Sequence, residues 1–271
     1  MNQFQDLIPE YATGCIDEEI TRFYSDRISR KVREGIGMDD IFTYIYTSGT
    51  TGLPKACLIK HSKYVAAASA WESLFKSTVD DRVYTCLPMY HSAGGILGQG
   101  QLLARGLTFI IGRKFSASKF FQHCSENNAT VTQYIGEVAR YLLNSPETPY
   151  DRKHNVRLVI GNGLRREVWV PFLERFGIAE VGEFYGATEG NIGLGHLSQN
   201  MEGVGAVAHA GALLRHLLKF QIVKHDVVTE EPVRDPATGF CIPCERGEPG
   251  ELLGFIDPKD KGKHFAGYTN K

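Results

Sequence analysis

Residues 44–56 read YIYTSGTTGLPKA, and they are the first stretch of this sequence whose residue types suggest chemistry. Two glycines and four Ser or Thr residues lie between an aromatic, β-branched run and Lys55. Glycine lets the backbone come close to a ligand, and successive backbone N–H groups in such a loop form a concave anion site. Lys55 adds a positive charge, so the segment is predicted to bind a polyphosphate.

The spacing differs from that of a Walker A loop, in which Gly-Lys-Ser/Thr is contiguous and opens a helix. Here Leu53 and Pro54 separate Gly52 from Lys55, so no helix is expected to begin there. This disfavours a nucleotide hydrolase of the Walker type. A Ser/Thr/Gly hairpin loop that binds nothing is the other interpretation, but the whole nine-residue pattern after a strand favours phosphate binding.

A second segment supplies acidic chemistry. Tyr185-Gly186-Ala187-Thr188-Glu189 ends in a carboxylate, a hard oxygen ligand suited to Mg²⁺. Thr188 is a short hydroxyl donor beside it. His91, in CLPMYHSAGG (86–95), is by its residue type alone more typical of an ordinary histidine than of a ligand-binding one.

The elements that must position these groups alternate along the chain. Helix-like runs occupy 62–76, 92–106, 116–129 (opened by Ser116), 137–144 and 165–177. Strand-like runs occupy 42–47, 55–60, 82–88, 107–112 (buried), 130–136, 156–163 and 181–186. This order predicts an α/β fold with parallel sheets flanked by helices. Ligands of such folds bind beyond the carboxyl ends of the strands. Since glycine-rich segments follow Thr47, Ile160 and Tyr185, we expect one shared site. Strands and turns of a smaller β-rich section are predicted from residue 212.

Composition excludes several classes of protein. The 271 residues are 42% hydrophobic and carry a net charge of −1, so no nucleic-acid partner is expected. The lone Cys241-Ile-Pro-Cys244 is predicted to be a loop with two ordinary thiols, since a zinc ribbon needs a second pair. The first residues lack the features of a secretory signal. The stretch 93–112 is too polar for a predicted membrane span.

The motifs together resemble a known family. YTSGTTGLPK, YGATE, CLPMYHSAGG and GEPGELL (247–253) resemble signatures of the AMP-forming, adenylate-forming enzymes. Within that family, the chain from about Asp40 to its end resembles the fatty acid transport proteins, also called very-long-chain acyl-CoA synthetases. The segments that carry this narrower resemblance are YIYTSGTTGLPKA, YHSAGGILG, FSASKFF, QYIGEVARYLLN, VRLVIGNGLR and EFYGATEGN.

The resemblance implies roles for particular residues. Lys55, Thr188 and Glu189 would be catalytic, with Glu189 also the Mg²⁺ ligand and His91 near the carboxylate substrate. The nucleotide would be bound by Tyr44, Ile45, Tyr46, Thr47, Ser48, Gly49, Thr50, Thr51, Gly52, Leu53, Pro54, Lys55, Gly161, Asn162, Gly163, Tyr185, Gly186, Ala187 and Thr188. Gly161 to Gly163 would line the adenine pocket, and Tyr185 would face the base.

The resemblance also implies an activity and an organisation. The expected reaction converts a long- or very-long-chain fatty acid to acyl-CoA through acyl-AMP, with ATP, Mg²⁺ and CoA, coupled to fatty acid uptake. Association with the endoplasmic reticulum or plasma membrane is expected, with the peroxisome as an alternative. Residues 1–39 would be a divergent segment, 40–211 the AMP-binding core and 212–271 a β-rich section of the same domain. The ribose-binding Asp and the small C-terminal domain with its catalytic lysine are expected to lie outside this chain. A catalytically incomplete remnant that binds nucleotide or lipid is the alternative function.

Overall fold

A computed structural model describes residues 29–47, 53–199, 201–209, 211–256 and 266–269 of the chain. The chain divides into two compact units, residues 1–37 and 38–271. The described part of the first unit contains a 3₁₀ helix, Arg30–Arg33, where the Ser29 hydroxyl accepts a hydrogen bond from the Lys31 backbone N–H at 3.3 Å. Residues 1–28 of the predicted N-terminal segment lie outside the described residues.

The second unit begins with a pair of antiparallel strands, β1 (Ile41–Thr47) and β2 (Lys55–Lys60), in which Thr47 lies opposite Lys55. Both strands were predicted, but the pair is separate from the main sheet. The reason is the length of the connection, because seven residues are too few for the crossover that parallel strands need. Helix α1 (His61–Phe75) follows directly and packs on the pair.

The main sheet has the order β4-β3-β5-β6-β7-β8. Its strands are β3 (Arg82–Thr85), β4 (Thr108–Ile111), β5 (Val131–Ile135), β6 (Leu158–Asn162), β7 (Glu180–Gly186) and β8 (Gly193–Gln199). All pairs are parallel except β7 with β8. The run of buried apolar residues in β6 is typical of a parallel strand covered on both faces. The predicted α/β class is confirmed.

Helices cover both faces of this sheet. Trp71 and Phe75 of α1 pack with Leu158 and Ile160 of β6, together with helix α2 (Gln99–Arg105). Val159, which points to the opposite face, packs with helices α3 (Phe120–Glu126), α4 (Gly136–Leu143) and α5 (Arg166–Phe176). The fully buried Trp169 lies in this second cluster.

The predicted helix at 92–106 is two helices of different kinds. Residues Ser92–Gly98 form a π-helix that leads into α2. Its glycines make the close packing there feasible, because a Cβ on Gly94 would stand 2.6 Å from the Pro88 carbonyl oxygen. Such π-helical turns are rare and are found most often at functional sites.

Three other features differ from the prediction. Strand β4 is an edge strand rather than a buried one, and Ile111 is 57% exposed. Helix α3 begins at Phe120 rather than near Ser116, because residues 117–119 form a turn. Strand β8 was not predicted, since its sequence GLGHLSQ has two glycines and no β-branched residue.

The C-terminal part opens with helix α6 (Ala212–Leu218), where strands were predicted, and its leucine-rich sequence favours a helix. Strands follow it: β9 (Phe220–Val223), β10 (His225–Asp226), β11 (Glu231–Pro232) and β12 (Glu251–Gly254). Strand β12 pairs antiparallel with β9. No helix among the described residues combines the length and the hydropathy that a membrane span requires.

Candidate functional site

Two of the predicted motifs meet at Tyr268. Its backbone bridges Cys57 of β2, and its hydroxyl interacts electrostatically with the side chains of Glu189 and Thr47. The Lys55 ammonium lies 5.7 Å from the centre of the Tyr268 ring. Burial, followed by the negative charge of Glu189, raises the pKa of Tyr268. The structure therefore brings both ends of the first glycine-rich segment and the acidic end of the second motif around one aromatic side chain.

The second motif forms a tight turn between β7 and β8. The backbone N–H of Gly190 donates to the Ala187 carbonyl at 3.0 Å, which places Thr188 and Glu189 at the tip. The Thr188 hydroxyl lies 3.2 Å from the Ser92 hydroxyl. Ser92 opens the π-helix and directly follows the exposed His91, so the predicted carboxylate-binding segment adjoins the same turn.

Lys63 of α1 also binds this turn. Its ammonium donates hydrogen bonds to the carbonyl oxygens of Thr188 at 2.7 Å and Gly190 at 2.9 Å. Burial lowers the pKa of Lys63, while the nearby Cys57 and Glu189 act in the opposite direction. Lys63 lies outside every motif of the sequence analysis, and its contacts span more than a hundred residues of sequence.

A buried carboxylate holds the third glycine-rich segment, which follows β6. Glu183 is 2% exposed and accepts hydrogen bonds from the backbone N–H groups of Gly163 at 2.5 Å and Leu164 at 3.1 Å. The Tyr134 hydroxyl donates to the same carboxylate. Burial raises the pKa of Glu183, although these donors oppose the shift. Gly163 has a φ of +77°, a conformation that glycine adopts without strain.

Exposed groups at this end of the sheet include Asn162, Gly163, Tyr185, Gly186 and Ala187, so these predicted base-binding residues are accessible, whereas Gly161 is buried. Asn162 and Gly163 line a cavity of about 320 Å³, together with residues of α4 and α5. Gly161 of β6 lies opposite Glu183 of β7, and Tyr185 follows two residues further along β7. The β6 and β7 segments therefore lie side by side at the carboxyl edge.

The remaining predicted residues are placed as follows. Ser48, Gly49, Thr50, Thr51 and Gly52 lie outside the described residues. Ile45 is buried in a small core with Cys57 and Ile59, whereas Tyr44, Tyr46, Leu53 and Pro54 are exposed. Ile45 therefore stabilises the strand pair rather than facing an open site. Glu183 and Tyr268 were missed, and no local pattern in the sequence marks either of them.

Comparison with known proteins identifies the class. The family model described as AMP-binding enzyme matches residues 7–254. The chain belongs to the AMP-binding enzyme family.

Particular relatives narrow this class. Long-chain fatty acid transport protein 1 from Homo sapiens is 48% identical over 236 residues, 87% of this chain and 36% of that protein. Long-chain fatty acid transport protein 5 from Homo sapiens is 44% identical over 261 residues, 96% of this chain and 36% of that protein. The chain thus spans about a third of the length of these curated relatives.

A solved structure agrees with the fold. ATP-bound MatB from Rhodopseudomonas palustris superimposes with a TM-score of 0.64 at 23% identity, covering 86% of this chain and 42% of that one. At this identity the likeness concerns the architecture.

Proposed function

We propose that the complete protein is an AMP-forming ligase that activates long- or very-long-chain fatty acids. In the first step a carboxylate oxygen of the fatty acid attacks the α-phosphorus of ATP, and the bond to the β-phosphate breaks to release pyrophosphate. In the second step the sulfur of CoA attacks the acyl carbon and displaces AMP, and the thiol proton passes to solvent.

One observation carries this proposal: the convergence of Thr47, Lys55 and Glu189 on Tyr268. Lys55 and the hydroxyl-rich segment before it supply positive charge and donors, and Glu189 supplies a metal ligand. The family of the chain and the ATP bound in MatB support a nucleotide as the ligand. The name of the relatives supports a long-chain fatty acid as the second substrate.

The donor set at the turn fits Mg²⁺. Glu189 offers a carboxylate and Thr188 a hydroxyl, both hard oxygen donors of the kind that Mg²⁺ prefers. The bound ion would neutralise charge on the phosphates of ATP. We assign Glu189 as its protein ligand and propose that Thr188 contacts the phosphate.

The chain's own residues would orient the reactants. Lys55 stabilises the negative charge that grows on the phosphates, Tyr185 stacks on the base and Gly161 to Gly163 let the backbone approach it. His91 lies in the segment that joins the turn through Ser92 and is assigned to the fatty acid carboxylate. Holding two reactants and the charge-stabilising groups in one place is the main source of rate acceleration in such reactions.

The test is the product balance of the complete protein with palmitate, ATP, Mg²⁺ and CoA. We expect pyrophosphate, AMP and palmitoyl-CoA in equal amounts, and no pyrophosphate without palmitate. Inorganic phosphate without pyrophosphate would contradict the proposal and favour a nucleotide hydrolase. Binding of ATP without turnover would favour the catalytically incomplete nucleotide-binding alternative.

Membrane association is a separate part of the proposal, supported by the name of the relatives. The endoplasmic reticulum and plasma membrane are the expected sites, and the peroxisome is the alternative. Fractionation of cells that express the complete protein tests this, and recovery in the soluble fraction alone would contradict it.

A further inference from the structure

We propose that Lys63 is a positioning residue whose ammonium group holds the Ala187–Gly190 turn, so that Thr188 and Glu189 face the nucleotide phosphates. This inference rests on the function proposed above, since it concerns the turn that would bind Mg²⁺. It gives a role to a residue that lies outside every motif of the sequence.

The contacts of Lys63 flank the critical carboxylate. Its ammonium donates to the carbonyl of Thr188, directly before Glu189, and to the carbonyl of Gly190, directly after it. Fixing the peptide groups on both sides restricts the backbone of Glu189, and with it the direction of the side chain. A hydrogen bond from a charged donor is stronger than one between neutral groups.

The turn needs such an external restraint because its own sequence is flexible. Gly190 lies within it and Gly186 and Gly193 flank it, and glycine has the largest conformational freedom of all residues. One backbone hydrogen bond, from Gly190 to Ala187, closes the turn internally. Further contacts come from Ser92 and from the Asn191 amide, which donates to the Phe255 carbonyl at 3.2 Å.

Lys63 is well placed to provide the restraint because its helix is rigidly packed. Tyr64, Ala68, Trp71 and Phe75 of α1 are buried between the strand pair and the main sheet. An anchor on a packed helix defines a position more sharply than one on a loop. Lys63 itself is half-buried, which limits the access of water that would compete for the two carbonyls.

Two other roles for Lys63 predict different behaviour. If Lys63 bound a phosphate directly, its substitution would leave the turn unchanged in the absence of nucleotide. If Lys63 only stabilised the fold, its substitution would speed hydrogen exchange throughout residues 38–271. The restraint of one turn predicts a local change that is present before any nucleotide binds.

The experiment compares three variants of the complete protein: Lys63→Met, which keeps the length but removes the donors, Lys63→Arg, and Lys153→Met as a matched control. Lys153 is exposed and lies before β6, at the opposite edge of the sheet. Hydrogen exchange without nucleotide is measured over residues 186–193. The Mg²⁺ concentration for half-maximal acyl-AMP formation is measured in parallel, together with kcat and the unfolding temperature.

In Lys63→Met we expect faster exchange over 186–193 with unchanged exchange in β6 and α5. A higher Mg²⁺ requirement and a kcat lower by about tenfold or more should accompany it, because two hydrogen bonds from a charged donor are lost. Lys63→Arg should recover most of the loss, since a guanidinium also offers two donors. Lys153→Met should behave like the unsubstituted protein.

Unchanged exchange of the turn in Lys63→Met would overturn the inference, whatever happens to activity. Faster exchange throughout the unit with a lower unfolding temperature would also overturn it, in favour of a purely structural role. If the unsubstituted protein forms no acyl-AMP, the proposed function fails instead. The exchange data then still decide whether Lys63 holds the turn.

Discussion

The two edges of the parallel sheet use charge in opposite ways. At the amino edge Arg157 bridges Asp81 at 2.8 Å and Glu180 at 2.9 Å, and Thr130 donates to Asp81 at 2.7 Å. These residues stand before β3, β5 and β6 or begin β7, so the network links four strands. Asp81, Arg157 and Glu180 each have an ion-pair partner within the protein.

At the carboxyl edge the charged side chains of Lys55 and Lys63 contact neutral groups rather than a carboxylate. Lys55 lies over the Tyr268 ring, the charge of Glu189 acts on the Tyr268 hydroxyl, and Lys63 binds the carbonyl oxygens of Thr188 and Gly190. Charges that are paired internally stabilise a fold, whereas charges that are held apart can act on a ligand. Substitutions of Asp81 and Arg157 should therefore change stability, and those of Lys55 and Glu189 should change binding and catalysis.

The largest effect is expected at the carboxyl edge. Glu189→Gln keeps the size of the side chain but removes the charge that would bind Mg²⁺. We expect kcat for acyl-AMP formation to fall about a hundred- to a thousandfold, as for loss of one preorganised electrostatic group. The unfolding temperature should change little. Quenched-flow measurement of pyrophosphate release gives kcat, and calorimetry gives the unfolding temperature. A large fall in the unfolding temperature would contradict the contrast between the edges.

The matching substitution at the amino edge is Asp81→Asn. The Asp81 side chain is 4% exposed, while that of Arg157 is 40% exposed, so water partly compensates the loss. We expect a loss of about 2 kcal/mol in the free energy of unfolding. Activity per folded molecule should remain unchanged. Urea unfolding and kcat are measured on the same preparation. A fall in kcat without loss of stability would contradict the structural role of Asp81.

The pH dependence of stability should differ between the edges. Burial opposes ionisation of Asp81, but hydrogen bonds from Thr130, Thr78 and Arg157 outweigh it and lower its pKa below 3.8. Its stabilisation is therefore present above that pH and is lost as the pH falls through the folded-state pKa. Glu183 behaves oppositely: burial raises its pKa above 4.5, so its contribution declines as the pH rises through the folded-state value.

These opposite signs can be separated by urea unfolding over a range of pH. Asp81→Asn should flatten the acid side of the stability profile, and Glu183→Gln should reduce the decline above pH 4.5. Identical changes in the two variants would show that neither carboxylate carries the assigned linkage.

The smallest effect concerns Tyr268→Phe. It removes the hydroxyl that interacts with Glu189 and Thr47 but keeps the ring beneath Lys55. The Kd of ATP–Mg²⁺ should rise by about three- to tenfold, in line with the loss of a single hydrogen bond. Calorimetric titration measures this change. Phe42→Leu, at a partly exposed aromatic in β1, serves as the control and should leave the Kd unchanged.

Local patterns were enough to predict the strand that precedes each glycine-rich segment, because alternating and continuous apolar runs determine which residues are buried. The expectation of one shared site also followed from the order of the segments. Lys63 could not be predicted, since its partners are 125 and 127 residues away and depend on how α1 packs. Tyr268 and Glu183 are similar cases. The seven-residue connection between β1 and β2 is short enough to predict that they pair antiparallel. The alternation of strands and helices along the chain instead favoured parallel sheets.

The most direct test of the account follows oxygen-18 from the carboxylate of palmitate during turnover by the complete protein with ATP, Mg²⁺ and CoA. Attack of the carboxylate on the α-phosphorus leaves one labelled oxygen on the phosphate of AMP after CoA displaces it. We predict that label in AMP for the unsubstituted protein, its retention per folded molecule in Asp81→Asn, and its near loss in Glu189→Gln. Unlabelled AMP, or label found in inorganic phosphate, would contradict the account.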